Sequence, residues 1–200
     1  MNAADAGTGR GVLRVRGLAM MGSVERPLQP EAGEEVVVGL RPIGEDDLDL
    51  LRALLGDPAM TRHIGGPESE TRIRARHHRL LRDRQPGATF AITVGDDPTG
   101  VGWAGYWETE HLGGVVWEAG LSLLGSWQGH GIASRAFHLA LERAAAERRH
   151  RVVHSFTAVA NEAAARMCER VGFVNLGEVV VPDPKGRPMR CLDWRFELWP

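Results

Sequence analysis

The chain has 200 residues, 43% of them hydrophobic and 25% charged, with a formal net charge of -2. That length suits one domain with its own core, and the charge balance argues against a nucleic-acid binder or a chain drawn to anionic membrane. Two cysteines, Cys168 and Cys191, are too few for the disulfide framework of a small secreted protein, so a cytoplasmic setting without a membrane span is expected.

Residues 1–33 are rich in Gly, Ala, Pro and Glu and lack periodicity, which reads as a flexible tail ahead of one domain over 34–200. A strand is predicted at Glu35–Arg41, where Val36, Val37, Val38 and Leu40 crowd together. Asp46 and Asp47 open a helix carrying Leu48, Leu50, Leu51, Leu54 and Leu55, which Gly56-Asp57-Pro58 stops. A charged helix follows over Glu68–Arg84. It carries His77, His78 and six arginines: Arg72, Arg74, Arg76, Arg79, Arg82 and Arg84.

Strands at Thr89–Val94, Val101–Thr109 and Val115–Leu123 come next, joined by turns at Gly95–Gly100 and Gly113-Gly114, so antiparallel pairing is expected. A long helix over Gly131–Arg148 places Ala133, Phe137, Ala140, Leu141 and Ala144 on one face. Arg151–Val159 reads as a buried strand. Glu162–Val171 reads as a helix ended by Gly172, and strands at Val174–Val181 and Cys191–Leu198 close the chain. This order implies an α+β fold with a mixed, mostly antiparallel sheet and a strand–helix–strand unit at its centre.

Gln128-Gly129-His130-Gly131-Ile132-Ala133 lies between a strand and the long helix. Its two glycines let backbone N–H groups approach an anion, and the helix start adds unpaired N–H groups and a positive dipole end. The same residues also describe an ordinary Gly-rich turn into a helix. No Lys-Ser/Thr follows, and a third glycine is missing, so neither a Walker loop nor a dinucleotide fingerprint is present.

Gln128-x-x-Gly131-x-Ala133 resembles motif A of the GNAT superfamily of acetyltransferases. Glu118-Ala119-Gly120-Leu121-Ser122-Leu123 is similar to the Glu-Ile-Gly-Tyr-x-Leu strand of its RimJ/RimL-like branch. The segment from Asn161 through Arg166 to Gly172-Phe173 is similar to that branch's Asn-x-x-Ser-x-x-x-x-x-Lys-x-Gly-Phe stretch. The resemblance spans residues 35–198 and implies a GNAT fold with a V-shaped splay between two central strands.

It also implies acetyl-CoA as co-substrate, a primary amine of a small molecule or a peptide N-terminus as acceptor, and possible homodimers. Backbone near Leu121, Ser122 and Leu123 would pair with the pantetheine arm. Gln128, Gly129, His130, Gly131, Ile132, Ala133 and Ser134 would meet the diphosphate, and Asn161 and Arg166 would add cofactor contacts. Asn161 is equally an ordinary helix N-cap. Another acyl-CoA such as succinyl-CoA, or a silent CoA-binding sensor module, remains an alternative function.

Amine acylation by a thioester needs a base for the amine proton. Glu118 is the expected catalytic residue, with Glu108 in reserve. The tyrosine that many relatives use as general acid is replaced by Cys168, the only tyrosine is Tyr106, and the expected serine is Ala164. The arginines of the second helix read as a solvated face, or as attraction for an acidic acceptor or the 3′-phosphate of CoA. Trp103, Tyr106, Trp107 and Trp117 divide between core and an acceptor pocket whose other wall is Thr61–Pro67 with the first two helices. No Asp/His cluster is visible, so no metal is expected.

Overall fold

Period-two alternation and tight turns build most of the sheet. The computed structural model describes residues 36–82 and 86–200. The expected tail, together with Glu35 and Arg84, lies outside the described residues. Seven strands form one sheet: β1 (Val38–Pro42), β2 (Gly87–Val94), β3 (Asp97–His111), β4 (Gly114–Leu123), β5 (Val152–Ala158), β6 (Val174–Pro182) and β7 (Pro188–Glu197). Their order across the sheet is β1-β2-β3-β4-β5-β7-β6. Every neighbouring pair is antiparallel except β4 and β5.

Among the described residues five helices flank the sheet: α1 (Leu48–Leu55), α2 (Pro58–Thr61), α3 (Glu70–Arg82), α4 (Ile132–Ala146) and α5 (Glu162–Val171). The mostly antiparallel α+β architecture is the one expected. On α4 the residues Ile132, Ala136, Phe137, Ala140, Leu141 and Ala144 are all buried, one stripe at helical spacing. The alanines let the helix approach the sheet closely, and Phe137 stacks on Phe173 at 5.4 Å between centroids. Burying Phe137 contributes roughly 1.5–3 kcal/mol. Trp117 and Ala119 of β4 point into that same core.

The opposite face of the sheet takes α1 and α3, through Leu51, Leu54, Ile73 and Ala91, with Trp103 packed beside them. Since Trp117 and Ala119 face α4, alternation turns Glu118 and Gly120 toward this second face.

Three details differ from the sequence reading. A 3-10 turn at Glu45–Asp47 precedes α1, because the Asp47 carboxylate is drawn inward: it accepts from Arg41 at 2.6 and 2.7 Å and from the Gly44 N–H at 2.7 Å. The extra helix α2 starts at Pro58, with Asp57 capping the N–H groups of Ala59 and Met60. The β2–β3 connection is tighter than the expected Gly95–Gly100 loop. Pairing resumes at Val94↔Asp97, and Gly95 takes a left-handed φ of 63°.

Candidate functional site

The parallel pair at the centre of the sheet is short. β4 and β5 register only at Trp117↔Val153 and Glu118↔His154, whereas β3 and β4 pair from Gly102↔Leu123 to His111↔Gly114. Beyond Glu118 the two strands diverge, so the edge of β4 from Ala119 to Leu123 has no strand opposite it. Leu121, Ser122 and Leu123 lie on that open edge, with Leu121 and Ser122 half-buried and Leu123 buried. An extended amide-bearing chain can add there as a surrogate strand.

The loop after β4 leads straight to the start of α4. Gly129 and Gly131 adopt φ of 86° and 75°, left-handed values that an L side chain rarely takes. A Cβ at either position would meet nothing within 4 Å, so conformation rather than crowding demands glycine, and the space above both is open. Gly131 caps α4 without any side-chain hydrogen bond, and no acidic residue stands in the first turn. The N–H groups of Ile132, Ala133 and Ser134 therefore have no intrahelical acceptor and point outward with the positive dipole end. Such a backbone arrangement can accommodate an anion.

The predicted loop residues divide by side chain. Ile132 is fully buried in the core, so only its backbone N–H remains for a ligand. Gln128 donates its amide Nε2 to the Leu123 carbonyl at 2.9 Å and braces the loop. His130 is exposed. Asn161 caps α5, its Oδ1 accepting from the Ala164 N–H at 3.2 Å. Arg166 is exposed and pairs with Glu162 at 3.1 Å.

Glu118 sits at the last paired rung before the splay. Burial pushes its carboxyl above the ordinary range, while hydrogen bonds from the Trp107 and Thr109 side chains and the charge of His111 act the other way. Trp107 is its cross-strand neighbour on β3. Glu108 is used elsewhere: it accepts from Arg149 at 2.5 Å and His150 at 2.6 Å, and those bonds hold its carboxyl below the usual range. Cys168 is fully buried, and burial pushes its thiol up to about 12, which excludes a thiolate nucleophile near neutral pH. The Tyr106 hydroxyl is buried and donates to Glu147 at 2.6 Å.

Beside Glu118 lies a cavity of about 330 Å³. Trp103 and Trp107 form its floor, their ring centroids 6.3 Å apart. Leu51, Leu55 and Leu80 supply the apolar wall, with Arg76 and Arg79 at the rim. Gly120 leaves room for the floor: a Cβ there would stand a tight 3.3 Å from the Trp107 ring and in ordinary contact, 3.7 Å, with that of Trp103. Tyr106 and Trp117 are core instead.

The segment before α3 is tied across to the β6–β7 loop. The Gly65 carbonyl accepts from Lys185 Nζ and from Arg187 Nη2, each at 2.7 Å, and Arg72 donates to the Pro184 carbonyl at 2.7 Å. Arg72 and Arg76 are thus engaged, Arg76 with the buried Glu68 at 2.5 Å, and not simply a solvated face.

The sequence reading missed Trp107 and Thr109 as donors to Glu118, because a cross-strand neighbour is set by register. It also missed an Asp/His cluster. His111 Nε2 lies 2.8 Å from Asp193 Oδ2, and His154 Nδ1 lies 2.6 Å from Asp193 Oδ1. The expectation that no such cluster exists is corrected: His111 and Asp193, 82 apart in the chain, lie on β3 and β7, strands that do not pair with each other, and meet through their side chains.

A family model described as "Acetyltransferase (GNAT) domain" matches residues 38–174. Among solved structures, spermidine N-acetyltransferase from Vibrio cholerae, in complex with CoA and spermine, superposes with a TM-score of 0.67 at 19% identity, covering 80% of this chain and 95% of that one. An acetyltransferase from Agrobacterium tumefaciens str. C58 gives 0.66 at 19% identity, covering 85% and 98%. An aminoglycoside acetyltransferase in complex with coenzyme A gives 0.65 at 18% identity, covering 80% and 95%. Among curated proteins, none matches by sequence.

Proposed function

The chain belongs to the GNAT acetyltransferase family, and we propose that it transfers an acetyl group from acetyl-CoA to a primary amine of a small molecule or peptide by direct attack on the thioester. One observation carries this reading. Glu118 stands where β4 and β5 part, between an uncapped glycine-bearing helix start and an apolar cavity. The Glu118-Ala119-Gly120 strand and the Asn161–Phe173 segment favour the RimJ/RimL-like branch.

The residues present fit the co-substrate. The N–H groups of Gly129, Gly131, Ala133 and Ser134 suit a diphosphate, and the open edge at Leu121–Leu123 suits the amide-bearing arm. Acetyl-CoA, when bound, supplies an activated acetyl thioester. Glu118 receives the proton of the attacking amine. Its burial makes the carboxylate a stronger base than an exposed glutamate, and the Trp107 and Thr109 donors fix its orientation.

The acceptor is an amine with an apolar or aromatic body, neutral or anionic at its far end. Among the described residues two indoles and three leucines line the cavity and no carboxylate does, while Arg79 and the Glu68-paired Arg76 also line it. The described lining offers a polyamine or an aminoglycoside no carboxylate of its own.

The test is calorimetric titration with acetyl-CoA and with ATP, followed by an amine panel read by thiol release. One-site binding of acetyl-CoA alone, with turnover on aromatic or aliphatic monoamines and little on spermidine, is expected. No binding of any CoA compound would sink the reading. Preference for spermidine would sink the acceptor assignment alone.

A further inference from the structure

On the sheet face that carries Glu118, we propose that His111, His154 and Asp193 form a binding site for one divalent transition-metal ion of the zinc class. The three residues come from β3, β5 and β7, so the sheet itself holds them in place. One donor atom from each lies within 4.8 Å of the others, and the two shortest separations are 2.8 and 2.6 Å. A tetrahedral zinc ion with bonds of about 2.0–2.1 Å holds its donors roughly 3.3 Å apart. Small side-chain rotations bring the donors onto one ion, the two short contacts opening and the widest separation, within 4.8 Å, closing.

Charge supplies the second argument. Asp193 is 5% exposed, and its side-chain partners are the two imidazoles. Glu118 is the direct neighbour of His154 across β4–β5, and it too accepts only from uncharged donors, Trp107 and Thr109. Among the described residues, neither carboxylate has an arginine or lysine on it. A buried carboxylate needs positive charge or strong donors nearby. Two imidazoles with a carboxylate are the donor set that borderline ions such as zinc prefer.

The surroundings fix the rings. His111 meets His154 edge-on at 4.6 Å between centroids, and Phe156 packs on both, at 5.1 and 6.2 Å. Asp193 lies opposite Phe156 on one side and Gly177 on the other. Three protein ligands leave a fourth position for water or a ligand atom, as in open zinc sites.

The experiment uses the full-length chain without a histidine tag, stripped with EDTA and then titrated with zinc sulfate alone by calorimetry. Metal content after gel filtration is measured in parallel. One ion per chain is expected, with affinity at least tenfold weaker in His111→Ala and in Asp193→Asn. His111→Ala keeps the test decisive if Asp193→Asn fails to fold, since His111 lies at the end of a strand, and unchanged acetyl-CoA binding reports an intact sheet. Cobalt(II) loading gives an independent readout, the visible bands of a four-coordinate ion, which each variant loses. Substoichiometric zinc in the wild-type chain, or the same affinity in a folded His111→Ala variant, overturns the proposal.

Discussion

The loop at residues 128–134 and the Glu118 neighbourhood lie on the same strand–helix connection, yet they are built in opposite ways. The loop is backbone: left-handed glycines, unpaired N–H groups and empty space above them. The Glu118 neighbourhood is side chain, contributed by β3, β4, β5 and β7 and held by cross-strand register. A backbone site is sensitive to conformation at one residue. A side-chain site is sensitive to each partner separately, and graded substitutions can take it apart.

The sharpest way to break that contrast is Glu118→Gln, which keeps shape and removes the base. Turnover falls by about 10²–10⁴-fold while acetyl-CoA affinity holds. Steady-state kinetics paired with calorimetry decides it, and full turnover would refute the assignment. In the wild-type chain the rate depends on the ionised carboxylate, so it rises with pH. Because burial raises the Glu118 pKa, the acid limb of kcat/KM lies above the ordinary glutamate value.

Gly131→Val probes the backbone side. The left-handed φ costs an L residue about 1–2 kcal/mol, so acetyl-CoA Kd rises roughly 5- to 30-fold. Turnover at saturating acetyl-CoA changes little. A fall in kcat with unchanged Kd would erase the distinction between the two regions.

Trp107→Phe keeps a ring in the cavity floor and deletes one hydrogen-bond donor to Glu118. Without it the carboxylate is less stabilised, and the acid limb of the pH profile moves further up. An unmoved limb would mean that the indole serves only the cavity. The smallest effect is expected for Glu108→Gln. Its carboxylate is already held by Arg149 and His150, so turnover stays within about twofold of wild type. A loss comparable to that of Glu118→Gln would move the base to β3.

Much of the architecture was readable along the chain. Alternation in β4, the alanine-rich stripe of α4 and the Gly172 stop of α5 are local signals, and each element formed within a few residues of its expected bounds. Asp47 was read as a helix opener and became a buried partner of Arg41, because its role depends on a strand six residues away. Arg76 was read as solvated and instead neutralises the buried Glu68.

What the sequence determined by itself was the glycine-bearing loop into α4 and the place of Glu118 on its strand, since both depend on residues adjacent in the chain. What the tertiary structure alone decided was the company Glu118 keeps. Trp107, Thr109, His111, His154 and Asp193 reach one sheet face from strands far apart in the chain, His111 and Asp193 being 82 residues apart, and register is fixed by the packing of the whole sheet and not by any local run of residues.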